Sequence, residues 1–106
     1  MLDFDKFFMQ EALKLAKTAF NEDEVPVGAV VTFGDKIIGK GYNQVEKLND
    51  PTAHAEILAI TAACNLLGTK YLDKCTLYVT LEPCMMCTCA IREAQIQKVV
   101  FAASDS

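Results

Sequence analysis

The stretch GAVVTFGDKIIGKGY, residues 28–42, decides the fold. It holds two β-prone runs, Gly28-Ala-Val-Val-Thr-Phe33 and Lys36-Ile-Ile-Gly-Lys-Gly-Tyr42, on either side of Gly34-Asp35. A two-residue Gly-Asp connection between such runs is a hairpin turn, so the stretch reads as two paired strands. Upstream, Phe4, Phe8, Ala12, Leu15 and Ala19 recur at helical spacing. They predict an amphipathic helix over about residues 3–20, ended by the polar Asn21-Glu-Asp-Glu24. Downstream, a polar loop from Asn43 to Thr52 leads into an apolar-rich helix from about Ala53 to Leu67, with Gly68 as its C-cap. Thr76-Leu-Tyr-Val-Thr80 is rich in β-formers and reads as a third strand. Pro83 suits the first turn of a third helix reaching about Ala94, and Val99-Val-Phe-Ala102 makes a fourth strand. The order α-β-β-α-β-α-β, with strands joined through helices, predicts right-handed crossovers and a three-layer α/β/α sandwich.

The 106 residues are 52% hydrophobic and 23% charged, the balance of one globular domain rather than a disordered chain. No apolar run approaches the ~20 residues that span a bilayer. The N-terminal MLDFDKFFMQ carries early acids and no basic region ahead of an apolar one, so it does not read as a signal peptide, and a cytoplasmic location is expected. Fourteen acids face ten lysines and arginines, for a net charge of −4, and Arg92 is the sole arginine. Lys36, Lys40, Lys47, Lys70 and Lys74 are scattered. The basic clusters by which phosphate-binding proteins announce themselves do not stand out.

The five cysteines, an odd count without a signal peptide, argue against a disulfide framework. Three of them crowd into Cys84-Met-Met-Cys87-Thr-Cys89. Cys84 and Cys87, three apart at a helix start, share one face, and the helix N-terminus favours their thiolates. Cys89 lies about 200° further round from Cys87 and points away. His54, the only histidine, opens the preceding helix. Two helices starting at one sheet edge would bring it beside both thiols. Three protein ligands with a fourth position open is the pattern of a catalytic zinc site. Cys64 and Cys75 lie too far along their elements to supply a fourth ligand; with Cys89 they are expected to pack as small apolar residues, and Met85 and Met86 to fill the core.

Glu56, two residues past His54, suits proton transfer better than ligation. Two thiolates neutralise the zinc charge and acidify a bound water less than imidazoles would, and a nearby carboxylate fills that gap. Taken singly, each feature has a plainer reading: a redox pair for the Cys-x-x-Cys, a capping residue for His54, a dipole partner for Glu56. Their occurrence together, in this order and with Pro83 before Cys84, favours the zinc site.

His54-Ala-Glu56 followed by Pro83-Cys84-Met-Met-Cys87 is the pattern of the zinc nucleobase deaminases. With Glu24-Val-Pro-Val-Gly-Ala-Val30, Asp50-Pro-Thr-Ala-His-Ala-Glu56 and Leu77-Tyr-Val-Thr-Leu-Glu-Pro-Cys84, the chain resembles the cytidine/deoxycytidylate deaminase-like superfamily. Within it, the resemblance is closest to the bacterial tRNA-specific adenosine deaminases, from about Phe8 to Asp105. It implies one zinc ion per chain on His54, Cys84 and Cys87, with Glu56 moving protons. It further implies that Asn43 orients the substrate, that Val25 and Leu81 sandwich the base, and that Ala55 offers a backbone contact. Asp105 would be an acid near a flipped-out nucleotide. Val25 and Leu81 also read as core, and Asn43 as a turn cap. The implied reaction is hydrolytic: water activated on zinc attacks C6 of adenine, Glu56 protonates the ring nitrogen and then the amino group, ammonia leaves and inosine remains. For tRNA the base would be splayed from the anticodon loop into the pocket.

A homodimer is expected from the resemblance. Two departures stand beside it. Family domains usually continue with another strand and one or two helices, so residues 1–106 read as a single deaminase domain that is short at its C-terminus. They also tend to carry Gly-Ala-Arg-Asp where this chain has Ala102-Ala103-Ser104-Asp105, which removes a phosphate contact. The alternatives are a deaminase of a free base or nucleoside, of guanine or cytosine type, and a non-catalytic zinc-stabilised or truncated module.

Overall fold

The computed structural model describes residues 3–103. Its elements are α1 (Asp3–Asn21), β1 (Gly28–Phe33), β2 (Lys36–Tyr42), α2 (Ala55–Leu67), β3 (Cys75–Val79), α3 (Met85–Glu93) and β4 (Lys98–Phe101). The four strands form one sheet in the order β2-β1-β3-β4. β1 is antiparallel to both β2 and β3, while β4 runs parallel to β3. β2 and β3 therefore run the same way on either side of β1, and the α2 and α3 connections both link parallel strands.

The hairpin forms at the expected place. Gly34 takes φ +63°, which a side chain would resist, and Phe33 pairs with Lys36 across it. Alternation along the strands then divides the molecule into layers. Val30 and Tyr78, opposite one another in the β1–β3 ladder, pack with Phe8, Met9 and Ala12 of α1. Their neighbours Ala29, Val31, Leu77 and Val79 point to the other face and pack with Ala55, Ala59 and Ala63 of α2 and Ile91 of α3. The expected three-layer α/β/α sandwich is the observed one.

Small residues bring α2 close to the sheet. A Cβ on Gly39 would collide with the Ala59 carbonyl oxygen, and one on Gly41 with that of Ala55. With alanines on the buried stripe of α2, these glycines let helix and strand backbones approach directly.

Three local expectations need correction. Cys84, not Pro83, borders α3: it is the N-cap, and Pro83 stands before the helix. Met85 and Met86 therefore fall in the first turn of a short helix that projects beyond the sheet. They do not fill the core: Met85 is 82% exposed and Met86 is 36% exposed. Cys89 points away from the cluster as expected, but into solvent rather than into packing, whereas Cys75 is buried and Cys64 half-buried.

Candidate active site

His54 and Cys84 occupy equivalent places, each the N-cap of its helix in an extended conformation. An N-cap side chain ordinarily turns inward to bond the first-turn N–H groups. Neither does so here, which leaves the imidazole and the thiol available for other partners. Asn43, at the end of β2, supplies the missing cap for α2: its Oδ1 accepts from the Ala55 N–H at 2.8 Å. That bond also fixes the orientation of the amide, with oxygen toward the helix and Nδ2 left to donate.

The sequence-derived ligands come together. His54 Nδ1 lies 3.7 Å from Cys84 Sγ and 3.5 Å from Cys87 Sγ, and the three donor atoms lie within 4.8 Å of one another. A tetrahedral zinc with ordinary Zn–S and Zn–N bonds separates such atoms by about 3.5 Å. The donor set and its spacing fit a single zinc ion. Cys87 is fully buried beneath the other two, and burial, reinforced by the adjacent Glu56 carboxylate and Cys84, pushes its thiol far above the ordinary range. A cation is what makes this thiol a ligand, because metal binding displaces its proton.

Beside the cluster opens a cavity of about 620 Å³, within the usual range for small-ligand sites. His54 and Cys84 form part of its wall, and Glu56, only 4% exposed, reaches it from the first turn of α2. Asn43, Val25 and Leu81 also line it. Val25 is 62% exposed, so it is not a core residue, while Leu81 is half-buried and packs against the core below. Ala55 does not reach the cavity: its side chain is buried in the α2 core, and Asn43 occupies its N–H. Asp105 lies outside the described residues.

Glu24 belongs to this wall, and beyond opening the Glu24–Val30 motif the sequence alone assigns it no role. It is 7% exposed, and its two oxygens accept from the backbone N–H groups of Glu46 at 3.0 Å and Lys47 at 2.8 Å. Its partners lie 22 and 23 residues away and are main-chain groups, which no side-chain pattern reveals.

A three-layer α/β/α domain that gathers His-Cys-Cys and a buried glutamate at the starts of two helices defines the class of zinc-binding deaminase folds. The chain belongs to the family of the cytidine and deoxycytidylate deaminase zinc-binding region, which matches residues 2–103. Among curated relatives, the tRNA-specific adenosine deaminase of Aquifex aeolicus is 55% identical over 100 residues, covering 94% of this chain and 66% of its own length. That of Bacillus subtilis is 48% identical over 101 residues, covering 95% and 63%. The chain thus spans about two thirds of the length of these relatives. A solved structure from work on A-to-I editing by tRNA deaminases at the wobble position superposes with a TM-score of 0.92 at 46% identity, over 94% of this chain and 77% of that one. The guanine deaminase of Bacillus subtilis superposes with a TM-score of 0.91 at 43% identity, over 98% and 66%.

Proposed function

We propose that the chain carries out zinc-dependent hydrolytic deamination of adenosine to inosine in tRNA, at the wobble position, with release of ammonia. The observation that carries the reading is the buried Glu56 carboxyl in the same cavity as the His54–Cys84–Cys87 cluster. Zinc, when bound there, supplies a Lewis acid that makes water a nucleophile near neutral pH. Glu56 is placed to accept one proton from an attacking water and deliver it to the ring nitrogen beside the attacked carbon, and then to take the second proton from the newly added hydroxyl and pass it to the departing amino group as the carbonyl forms. The Asn43 Nδ2 orients the base by donating to an acceptor on it, while Val25 and Leu81 form apolar walls against its faces. The adenosine substrate rests on the relatives named above. On this reading residues 1–106 form one domain of a cytoplasmic protein, and the exposed Met85 at the start of α3 is apolar surface that pairing of two copies would cover.

A second reading, deamination of free guanine, is favoured by the likeness to the guanine deaminase. It is also favoured by the cavity wall, where Asp23, Glu24, Glu46, Glu56 and Glu82 stand with no lysine or arginine among the described residues that line it. Ammonia release from an anticodon stem-loop RNA, free guanine, free cytosine and adenosine decides between them. Turnover of the stem-loop supports the proposal; turnover of a free base alone overturns it. Turnover of none of the four supports the non-catalytic alternative.

A further inference from the structure

We infer that Glu24 is a positioning residue that holds together the two loop walls of the cavity and thereby sets how tightly the substrate is bound; the inference rests on the deaminase reading. The two walls are the segment between α1 and β1, which carries Val25, and the loop after β2, which carries Val45 and Glu46. Neither segment is a helix or a strand, so their separation depends on what ties them.

Glu24 is that tie. Burying a carboxylate is costly unless its oxygens are bonded, and here each oxygen takes one backbone N–H of the opposite wall. The adjacent residues are arranged around this bond. Asp23 bends the chain through a left-handed conformation with φ +61°, which aspartate tolerates better than most residues. On its other side Glu22 accepts from the Tyr42 hydroxyl at 3.1 Å and pairs with Lys47 Nζ at 3.4 Å, but at the surface, where such bonds contribute little. The contacts of Glu24 are part-buried and so better shielded from water. Val25 follows directly and is mostly exposed, so its place over the cavity is set by the anchor before it and by the tight Val27 N–H to Val25 carbonyl bond of 2.8 Å.

None of these bonds touches α2 or α3, the elements that carry Glu56 and the metal ligands. Loss of the tie should therefore loosen the substrate's walls without moving the reacting groups. Glu24→Ala is expected to raise KM for an anticodon stem-loop roughly tenfold, with kcat within about threefold and zinc content unchanged. Glu24→Gln retains one acceptor oxygen and should give an intermediate KM. The second readout needs no turnover: amide hydrogen exchange at Glu46 and Lys47 should accelerate in both variants, with the β1–β3 ladder still protected.

A fall in kcat at unchanged KM overturns the inference. Unchanged protection at residues 46 and 47 overturns it whatever the enzyme deaminates. If Glu24→Ala fails to fold, Glu24→Gln decides: faster exchange with unchanged KM overturns it, and faster exchange with raised KM supports it. Failure of the deaminase reading shows separately, as a wild type that releases no ammonia from any nucleobase.

Discussion

Replacing Glu56 by glutamine keeps the side chain's volume and removes its ability to carry a proton. The expected result is a fall in deamination of about 10²–10⁴-fold with zinc content unchanged, measured by ammonia release and metal analysis on the same preparation. Cys87→Ser tests a different role. It leaves a weaker ligand in the most buried position of the cluster, and loss of bound zinc is the expected outcome. At this scale the sequence was most legible where chemistry demands a residue type at a helix start. His54, Glu56, Cys84 and Cys87 stand out because each supplies a ligand atom or a proton carrier that few side chains offer. Glu24 did not stand out, since its partners are backbone amides brought near only by folding. Met85 and Met86 misled because apolar character suggests burial, while their position in the first turn of a short helix leaves Met85 largely and Met86 partly exposed.

At the scale of elements, contact between α2 and the sheet couples stability to the site. Gly41→Ala places a methyl group against the Ala55 carbonyl and the Ala59 amide, and α2 must shift to relieve it. A loss of about 1–3 kcal/mol is expected in denaturant melts. Because the shifted end carries His54 and Glu56, lower zinc occupancy should accompany it.

A second contact ties α1 to the sheet: the Tyr78 hydroxyl donates to Asp5 Oδ1 at 2.5 Å, and Lys98 Nζ lies 3.6 Å from the same oxygen. Burial, then the bond to Asp5 and its charge, raises the Tyr78 hydroxyl well above its ordinary value. The folded state therefore holds the phenol proton where the unfolded chain, titrating near about 10, gives it up. The resulting stabilisation is complete below that value and is lost as pH rises through the folded one. Tyr78→Phe should cost about 1–2 kcal/mol at neutral pH and flatten this alkaline decline, as followed by urea melts from neutral to alkaline pH.

The elements themselves were legible because the hairpin turn, the helical spacing and the β-branched runs are local signals. The strand order was not. That β1 sits between β2 and β3, antiparallel to both, rests on pairings between residues far apart in the chain, such as Val30 with Tyr78, which no local pattern reveals.

For the whole molecule, an acidic chain with no membrane-crossing helix among the described residues joins two cores through one sheet and gathers His54, Cys84 and Cys87 at the starts of α2 and α3. Since the proposed ligands come from the starts of two helices, zinc held on them would link α2 to α3 and should stabilise the fold. The gain follows mass action, about 2.7 kcal/mol at a free concentration one hundred times Kd, so thermal melts should shift upward with added zinc and downward with chelator. A melting temperature indifferent to both would contradict a resident ion. The central claim, that Glu56 moves protons for a deamination at this cluster, is tested most directly by the ammonia that zinc-loaded wild-type protein and Glu56→Gln release from an anticodon stem-loop RNA. Release by the wild type with loss of at least about a hundredfold in the variant is the expected result. Equal release by both, or none by a zinc-loaded wild type, would contradict it.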